Sequence, residues 1–172
     1  TLKPDEALIY YIFGNRGGYV FVVRPDDVIA ARVNVRRDEI GGLIRDLRKP
    51  FEKLGKRIAP YDLNLAHKLH NKLLGPVKDA LAGAKHVIVV SSGELLSLPF
   101  PLLVSQPPSD GPDRYRSADW LIRKYAVTQM PSVRTFTTFR RTVRPSSAPL
   151  PFVGFGNPAF KGTGSSAGIN AL

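Results

Sequence analysis

A continuous run of β-branched residues, Val87-Ile88-Val89-Val90, constrains the fold of this chain more than any other feature. No polar residue alternates within the run, so a strand here is expected to be buried on both faces. The segment before it, from about residue 62, spaces its leucines as a helix does. A helix that leads into a fully buried strand predicts an α/β protein, with a mixed sheet and helices on both of its faces.

Upstream of that strand, the sequence predicts an antiparallel hairpin. Residues 7–13 and 19–24 are rich in aliphatic and aromatic side chains, and the Gly/Asn-rich segment 14–18 between them favours a tight turn. Residues 28–35 follow a Pro-Asp-Asp turn and are predicted to form a third strand. The sheet therefore begins as an N-terminal antiparallel meander.

Two amphipathic helices are predicted between this hairpin and the valine-rich strand. In residues 38–54 the apolar side chains recur at helical spacing, with Asp38 as the N-cap and Gly55 as the stop. Pro50 lies inside this span and is expected to end or kink the helix early. The second helix spans residues 62–74 and ends at a Gly-Pro pair.

The remainder of the sequence alternates between loops and regular elements. Pro99 and Pro101 interrupt an apolar segment, which favours a packed loop over a strand. Ser132 is a suitable N-cap for the helix that follows it. The predicted elements are a packed loop at 95–104, a polar mobile loop at 105–119, a strand at 120–130, a helix at 133–143, a Pro/Ser linker at 144–151 and a strand at 152–156.

Cysteine is missing from all 172 residues, which excludes a disulfide, a Cys-ligated zinc and a cysteine nucleophile within this sequence. No apolar run approaches the roughly 20 residues that a membrane-spanning helix needs. We therefore expect a protein that does not insert into membranes, and cytoplasmic localisation is the default. We expect neither a cofactor nor a metal.

The net charge of +11 suggests an acidic partner or nucleic acid. Basic residues between 36 and 57 alternate with acidic ones, which is typical of a solvated helix face. After Asp119 the chain carries only basic charges, and such a segment is expected to lie against an acidic protein partner or an acidic remainder of the same protein. Nucleic acid is the less favoured partner, because no RRM, KH or zinc-finger signature is present.

Four sets of residues could suggest chemistry, and none forms a complete site. His67 and His70 are three apart, a spacing that can bind a metal, but the neighbouring lysines favour solvent-exposed histidines. The other sets are Ser91, Ser92 and Ser97; Asp62 with Asp79; and the glycines of segment 156–164. They lack, respectively, a nucleophile elbow, an acid/base pairing and the spacing of a phosphate-binding loop.

Four motifs in order resemble the CHAT domain family of caspase-like cysteine peptidases. The most specific spans residues 83–103, where a hydrophobic strand leads through a turn into Leu-Ser-Leu-Pro-Phe. Ser91-Ser92 stand where the family usually has Pro-Asp, and serine can close the same turn. The other matching motifs are Leu-Leu-Gly-Pro at 73–76, Tyr-Ala-Val-Thr-Gln-Met-Pro-Ser at 125–132 and Gly-Asn-Pro at 156–158.

The resemblance implies an incomplete caspase-like three-layer sandwich. Residues 1–145 would be the non-catalytic half, and residues 150–172 would contribute the first strand and loop of the catalytic half. By the same resemblance, the loop at 157–166 would line the substrate cleft, which makes Asn157 and Lys161 the candidate substrate-binding residues. The family's catalytic His and Cys are expected on later strands, beyond Leu172, so no catalytic residue is assigned.

Two functions therefore remain open from the sequence. In the first, the chain is the N-terminal part of a caspase-like cysteine peptidase and is completed by a catalytic segment. In the second, it is a non-catalytic basic module that binds an acidic protein or nucleic acid. The family often carries tetratricopeptide repeats upstream, although none is present here. An unpaired edge strand at 152–156 would favour a partner segment or a homo-oligomer.

Overall fold

The structure is a computed structural model that describes residues 2–52 and 59–142. Its centre is one five-stranded mixed sheet with the order β3-β2-β1-β4-β5. β1 is antiparallel to β2 and parallel to β4, and β4 is parallel to β5. The strands are β1 (Glu6–Gly14), β2 (Gly17–Val23), β3 (Val28–Val33), β4 (His86–Val90) and β5 (Ala126–Met130). The predicted meander and the buried valine-rich strand are both confirmed.

Five α-helices and several 3-10 turns surround this sheet in the described residues. The two longest helices precede β4, and the last one follows β5. The helices are α1 (Arg37–Glu52), α2 (Leu63–Leu73), α3 (Arg114–Ser117), α4 (Leu121–Lys124) and α5 (Val133–Thr142). None of them is long and apolar enough to cross a membrane.

Helices cover both faces of the sheet, as the valine-rich run predicts. Val87 and Val89 of β4 belong to the large core beneath α1 and α2. Ile88 and Val90 point to the opposite face and pack with Phe136 of α5 in a second, smaller core. Side chains of a strand alternate between the faces, so β4 supplies both cores at once. The molecule is an α/β protein with an incomplete sandwich architecture.

Side-chain caps begin two helices: the cap at Ser132 is as the sequence predicts, and Asp62, predicted as the first residue of α2, is instead its cap. Asp62 accepts a hydrogen bond from the Leu65 N–H at 3.0 Å and begins α2. Ser132 accepts one from the Thr135 N–H at 3.1 Å and begins α5. Each side-chain oxygen satisfies an N–H that has no partner within the helix, so these two boundaries can be read from the sequence.

The prediction for α1 is wrong at its start. The Ile40 N–H donates to the Arg36 carbonyl at 3.0 Å, which puts Asp38 in the first turn rather than at the N-cap. Pro50 does not end the helix, which continues to Glu52. A proline this close to the C-terminus removes only one hydrogen bond from the last turn. The predicted stop at Gly55 lies outside the described residues.

The strand predicted at 120–130 is also wrong in its first half. Residues 121–124 form α4, and only residues 126–130 form β5. Leu121 and Tyr125 are buried while Ile122 is 58% exposed, so the apolar side chains here follow a helical turn. The Tyr125 N–H donates to the Leu121 carbonyl at 3.0 Å and closes that turn.

Candidate functional site

The segment after β4, residues 91–103, lies beyond the carboxyl end of a parallel strand. This edge is where α/β proteins usually place their functional loops. The segment forms two 3-10 turns, Gly93–Ser97 and Phe100–Leu102. Leu95, Leu98 and Phe100 are buried in the large core, so the segment is the packed loop that its prolines predict.

Gln129 of β5 holds this segment against the sheet. Its side-chain Nε2 lies 3.1 Å from the Ser91 Oγ, 2.9 Å from the Leu95 carbonyl and 3.2 Å from the Leu96 carbonyl. The amide therefore adds a donor to the Leu95 carbonyl, which also accepts from the Leu98 N–H at 3.2 Å, and supplies one to the Leu96 carbonyl. Gln129 was not among the predicted site residues, although a glutamine within the apolar strand Ala-Val-Thr-Gln-Met was a usable signal.

A cavity of about 580 Å³ lies where the start of α1 meets this segment. Arg36, Arg37 and Arg45 line it together with Asp38 and Glu94, and the Arg36 guanidinium lies 3.4 Å from the Asp38 carboxylate. The Arg45 guanidinium is 4.0 Å from the Glu94 carboxylate, at the limit of an ion pair. A Cβ added at Gly41 would lie 3.1 Å from the Glu94 Cγ, so glycine permits this close approach of α1. Three arginines against two carboxylates give the lining an excess of positive charge.

His67 and His70 are half-buried, so the prediction of solvent-exposed histidines is wrong. The His67 Nδ1 lies 3.0 Å from the Val104 carbonyl, which can only accept, so this nitrogen carries the proton. The Asn71 amide donates to the His67 Nε2 at 3.0 Å, and its oxygen lies 3.2 Å from the His70 Nδ1. Asn71 thus orients both imidazoles.

The histidines border a second cavity, of about 410 Å³, between α2 and the polar loop. Burial lowers the pKa of His70, and the nearby Lys124 ammonium lowers it further, while the hydrogen bond with Asn71 and the Asp119 carboxylate oppose the shift. His70 is therefore a neutral hydrogen-bonding group at neutral pH. No cluster of three metal-ligating side chains occurs in residues 2–52 and 59–142.

Ser91, Ser97 and Asp62 have structural roles, whereas Ser92 is exposed and forms no side-chain cap at the 3-10 turn that it precedes. Ser91 is 1% exposed and accepts the hydrogen bond from Gln129, while the Ser97 hydroxyl donates to the Glu94 carbonyl at 2.8 Å. Asp62 is the cap of α2, and Asp79 belongs to a 3-10 turn. A serine nucleophile requires a hydrogen bond to a histidine. Among the described residues, neither Ser91 nor Ser97 is hydrogen-bonded to one.

A buried charge cluster joins α5 to the sheet. The Glu6 carboxylate is 3% exposed and forms an ion pair with Arg140 of α5. The His86 Nδ1 lies 3.6 Å from Glu6, and its Nε2 lies 2.8 Å from the Thr128 hydroxyl. The cluster therefore links β1, β4, β5 and α5 on the face opposite α1.

The residues predicted to contact substrate, Asn157 and Lys161, lie outside the described residues. The same is true of the predicted linker at 144–151 and the strand at 152–156. Their assignment to a substrate cleft stays a prediction.

Comparison with known proteins identifies the family. No curated protein matches the chain by sequence similarity. The model of the CHAT domain family matches residues 63–170, which is more than half of the sequence. The match begins with α2 and includes the valine-rich strand, the packed segment after it and β5. The chain belongs to the CHAT domain family.

Proposed function

We propose that this chain is the N-terminal part of a CHAT-domain caspase-like cysteine peptidase and is a scaffold for a catalytic segment. The observation that carries the proposal is the family match over residues 63–170 in a sequence with no cysteine. Such a peptidase needs a thiolate nucleophile and a histidine that exchanges its proton, so the catalytic pair must come from another segment.

The scaffold role has a physical basis in the sheet. Among the described strands, β5 pairs only with β4, and its outer edge is available to a further strand. A strand supplied by the catalytic segment would satisfy those backbone groups and extend the parallel part of the sheet. The division into a non-catalytic half at 1–145 and the start of the catalytic half at 150–172 belongs to this proposal.

Gln129 is the residue through which the scaffold would affect catalysis. It fixes the segment after β4 at the carboxyl edge, beside any strand that joins β5. We expect Gln129→Leu to lower the kcat of the assembled peptidase about tenfold, since one lost positioning interaction is worth roughly 1.4 kcal/mol. Gln106→Leu, at an exposed glutamine, is the matched control and should leave kcat unchanged.

The experiment co-expresses the chain with the catalytic segment and measures peptide hydrolysis with and without a thiol-alkylating reagent. Hydrolysis that depends on both segments and is abolished by alkylation supports the proposal. An assembled complex that cleaves no peptide in a diverse library, or whose activity survives complete alkylation, would contradict it.

Asn157 and Lys161 would contact the substrate in this account. An ammonium group at the cleft attracts acidic side chains, so Lys161→Gln should raise KM for acidic peptides more than for neutral ones. Lys68→Gln, on the exposed side of α2, is the control. Equal changes in KM for acidic and neutral peptides would show that Lys161 does not contact the substrate. A cytoplasmic location also belongs to the proposal, because a chain without cysteine suits a reducing compartment.

The second candidate function is a basic module that binds an acidic protein. It is favoured by the net charge of +11 and by the three arginines around the larger cavity. An acidic peptide, poly-glutamate, should bind with an affinity that falls with salt and with Arg37→Gln, but not with Arg123→Gln on α4. Equal binding by wild type and both variants would show that the cavity is not the binding site for the acidic peptide.

A further inference from the structure

The outer edge of β3 has the features of a pairing surface. β3 ends the sheet in the described part of the chain, so one row of its N–H and carbonyl groups has no strand partner there. Val28 is 61% exposed and Ile29 is 37% exposed. Natural sheets usually protect an edge with prolines, bulges or several charges, whereas the six residues of β3 include one charge, Arg32.

The charges at the two ends of β3 are complementary to each other. Asp26 and Asp27 immediately precede the strand, and Arg32 lies near its end. Within residues 2–52 and 59–142, neither Asp26 nor Arg32 forms an ion pair with another side chain. When two copies of such a strand run antiparallel, the acidic end of each lies against the basic end of the other.

An exposed apolar surface continues from this edge across the sheet. Tyr10, Ile12 and Tyr19 are 37%, 49% and 54% exposed on the face that α5 covers only in part. Ile12 is opposite Tyr19 in the β1–β2 register, and Tyr19 is opposite Arg32 in the β2–β3 register. Contiguous exposed apolar side chains of this kind mark interaction surfaces in soluble proteins.

We propose that the outer edge of β3 is a homodimer interface, in which β3 of a second copy pairs antiparallel with it. The two-fold axis of this dimer is normal to the sheet. The same face of the sheet then lies on the same side in both copies, because cross-strand partners share a face. A register centred on Ile29 pairs Val28 with Ala30 of the second copy and brings Arg32 near Asp26 of the second copy. The two Ile29 side chains pack across the axis.

The outer edge of β3 is more complementary to a second copy of β3 than to an acidic strand from a different protein. A uniformly acidic strand would meet Asp26 and Asp27 as well as Arg32, and the first two contacts are repulsive. The second copy places opposite charges together at both ends. The net charge of +11 on each copy opposes association, so the dimer should strengthen as salt screens that repulsion.

Sedimentation velocity of the full chain, from micromolar to near-millimolar concentration, tests the interface. Six residues of edge pairing bury less than the roughly 800 Å² per partner of a stable complex, so we expect a reversible monomer–dimer equilibrium. Added salt should shift it toward dimer. A chain that stays monomeric over the whole range, at low and high salt, would overturn the proposal.

Charge-swap variants distinguish this edge from other surfaces. Ile29→Lys puts two ammonium groups across the axis and should raise the dimer Kd about tenfold or more. Arg32→Glu and Asp26→Arg should each weaken the dimer, and the double variant should restore it. Ile122→Lys, at another exposed isoleucine, on α4, should leave the Kd unchanged. A dimer that Ile29→Lys does not weaken, or that the double variant does not restore, assembles elsewhere and contradicts the proposal.

Discussion

At the scale of single residues, Glu6 shows how the environment of a charge decides its role. Burial by itself would raise the pKa of this carboxyl. The hydrogen bond from the Lys3 N–H, at 2.8 Å, and the ion pair with Arg140 outweigh burial, so the pKa lies below its ordinary value. Glu6 therefore stays charged inside the protein and holds α5 through Arg140.

Removing Arg140 leaves that charge buried without its partner. We expect Arg140→Ala to lower the free energy of unfolding by about 1–3 kcal/mol, the usual effect of an unsatisfied buried group. Urea denaturation at neutral pH measures this change. Arg141→Ala, at the exposed neighbouring residue, is the control, and equal effects of the two substitutions would contradict the assigned role of Glu6.

The same pair predicts an acid dependence. Because the folded pKa of Glu6 is depressed, its contribution to stability is present above the unfolded pKa, about 4.3, and is lost as pH falls through the folded pKa. Repeating the denaturation from neutral pH down into this acid range should show wild type losing more stability than Arg140→Ala. Parallel curves for the two proteins would show that the pair does not hold the carboxyl in its charged form.

Single residues also show what the sequence could predict. The caps Asp62 and Ser132 were predictable, because a cap depends on neighbours three residues away. The partners of His67 and Gln129 were not predictable, because Val104 and Leu95 are far from them along the chain. A histidine flanked by lysines gives no sign in the sequence that a distant carbonyl will cover it.

At the scale of elements, α5 is attached to the sheet by one apolar side chain and one ion pair. Phe136 is 6% exposed and packs with Leu8, Ile88 and Val90, whereas Phe139 on the same helix is 53% exposed. The two phenylalanines offer a matched comparison of buried and exposed positions.

We expect Phe136→Ala to lower the free energy of unfolding by about 3–5 kcal/mol, as is usual for truncating a buried aromatic side chain. Phe139→Ala should change it by less than about 0.5 kcal/mol, as exposed substitutions do. Hydrogen exchange should show that the amides of α5 lose protection before those of β4 in the Phe136 variant. Similar destabilisation by both substitutions would mean that α5 packs through a different face.

The type of an element, helix or strand, could be predicted from the sequence where the apolar pattern was long enough to repeat. The meander, α1, α2 and α5 each contain several turns or alternations, and their existence was predicted correctly. α4 is a single turn of four residues, and that length is too short to show a helical period. Ile122 is its one β-branched residue, and the strand prediction came from the aromatic and β-branched residues on either side of it, Trp120 and Tyr125 to Val127.

At the scale of the whole molecule, the order of strands in the sheet was the feature hardest to predict from the sequence. The hairpin contacts are local, but pairing β1 with β4 joins residues about 80 positions apart, as in Glu6 opposite His86. Periodicity carries no information on such pairings. The resemblance carried by the segment 83–103 and the motif 125–132 supplied the architecture, and the family match over residues 63–170 supports it.

The central claim is that this chain is a scaffold completed by a cysteine-bearing segment. Intact mass spectrometry of the protein purified from its natural source, under denaturing and then native conditions, tests it most directly. We expect this polypeptide to be either covalently continuous with, or bound one-to-one to, a segment that contains cysteine. A natural product that contains only the 18.9 kDa chain, alone or as its own dimer, would contradict it.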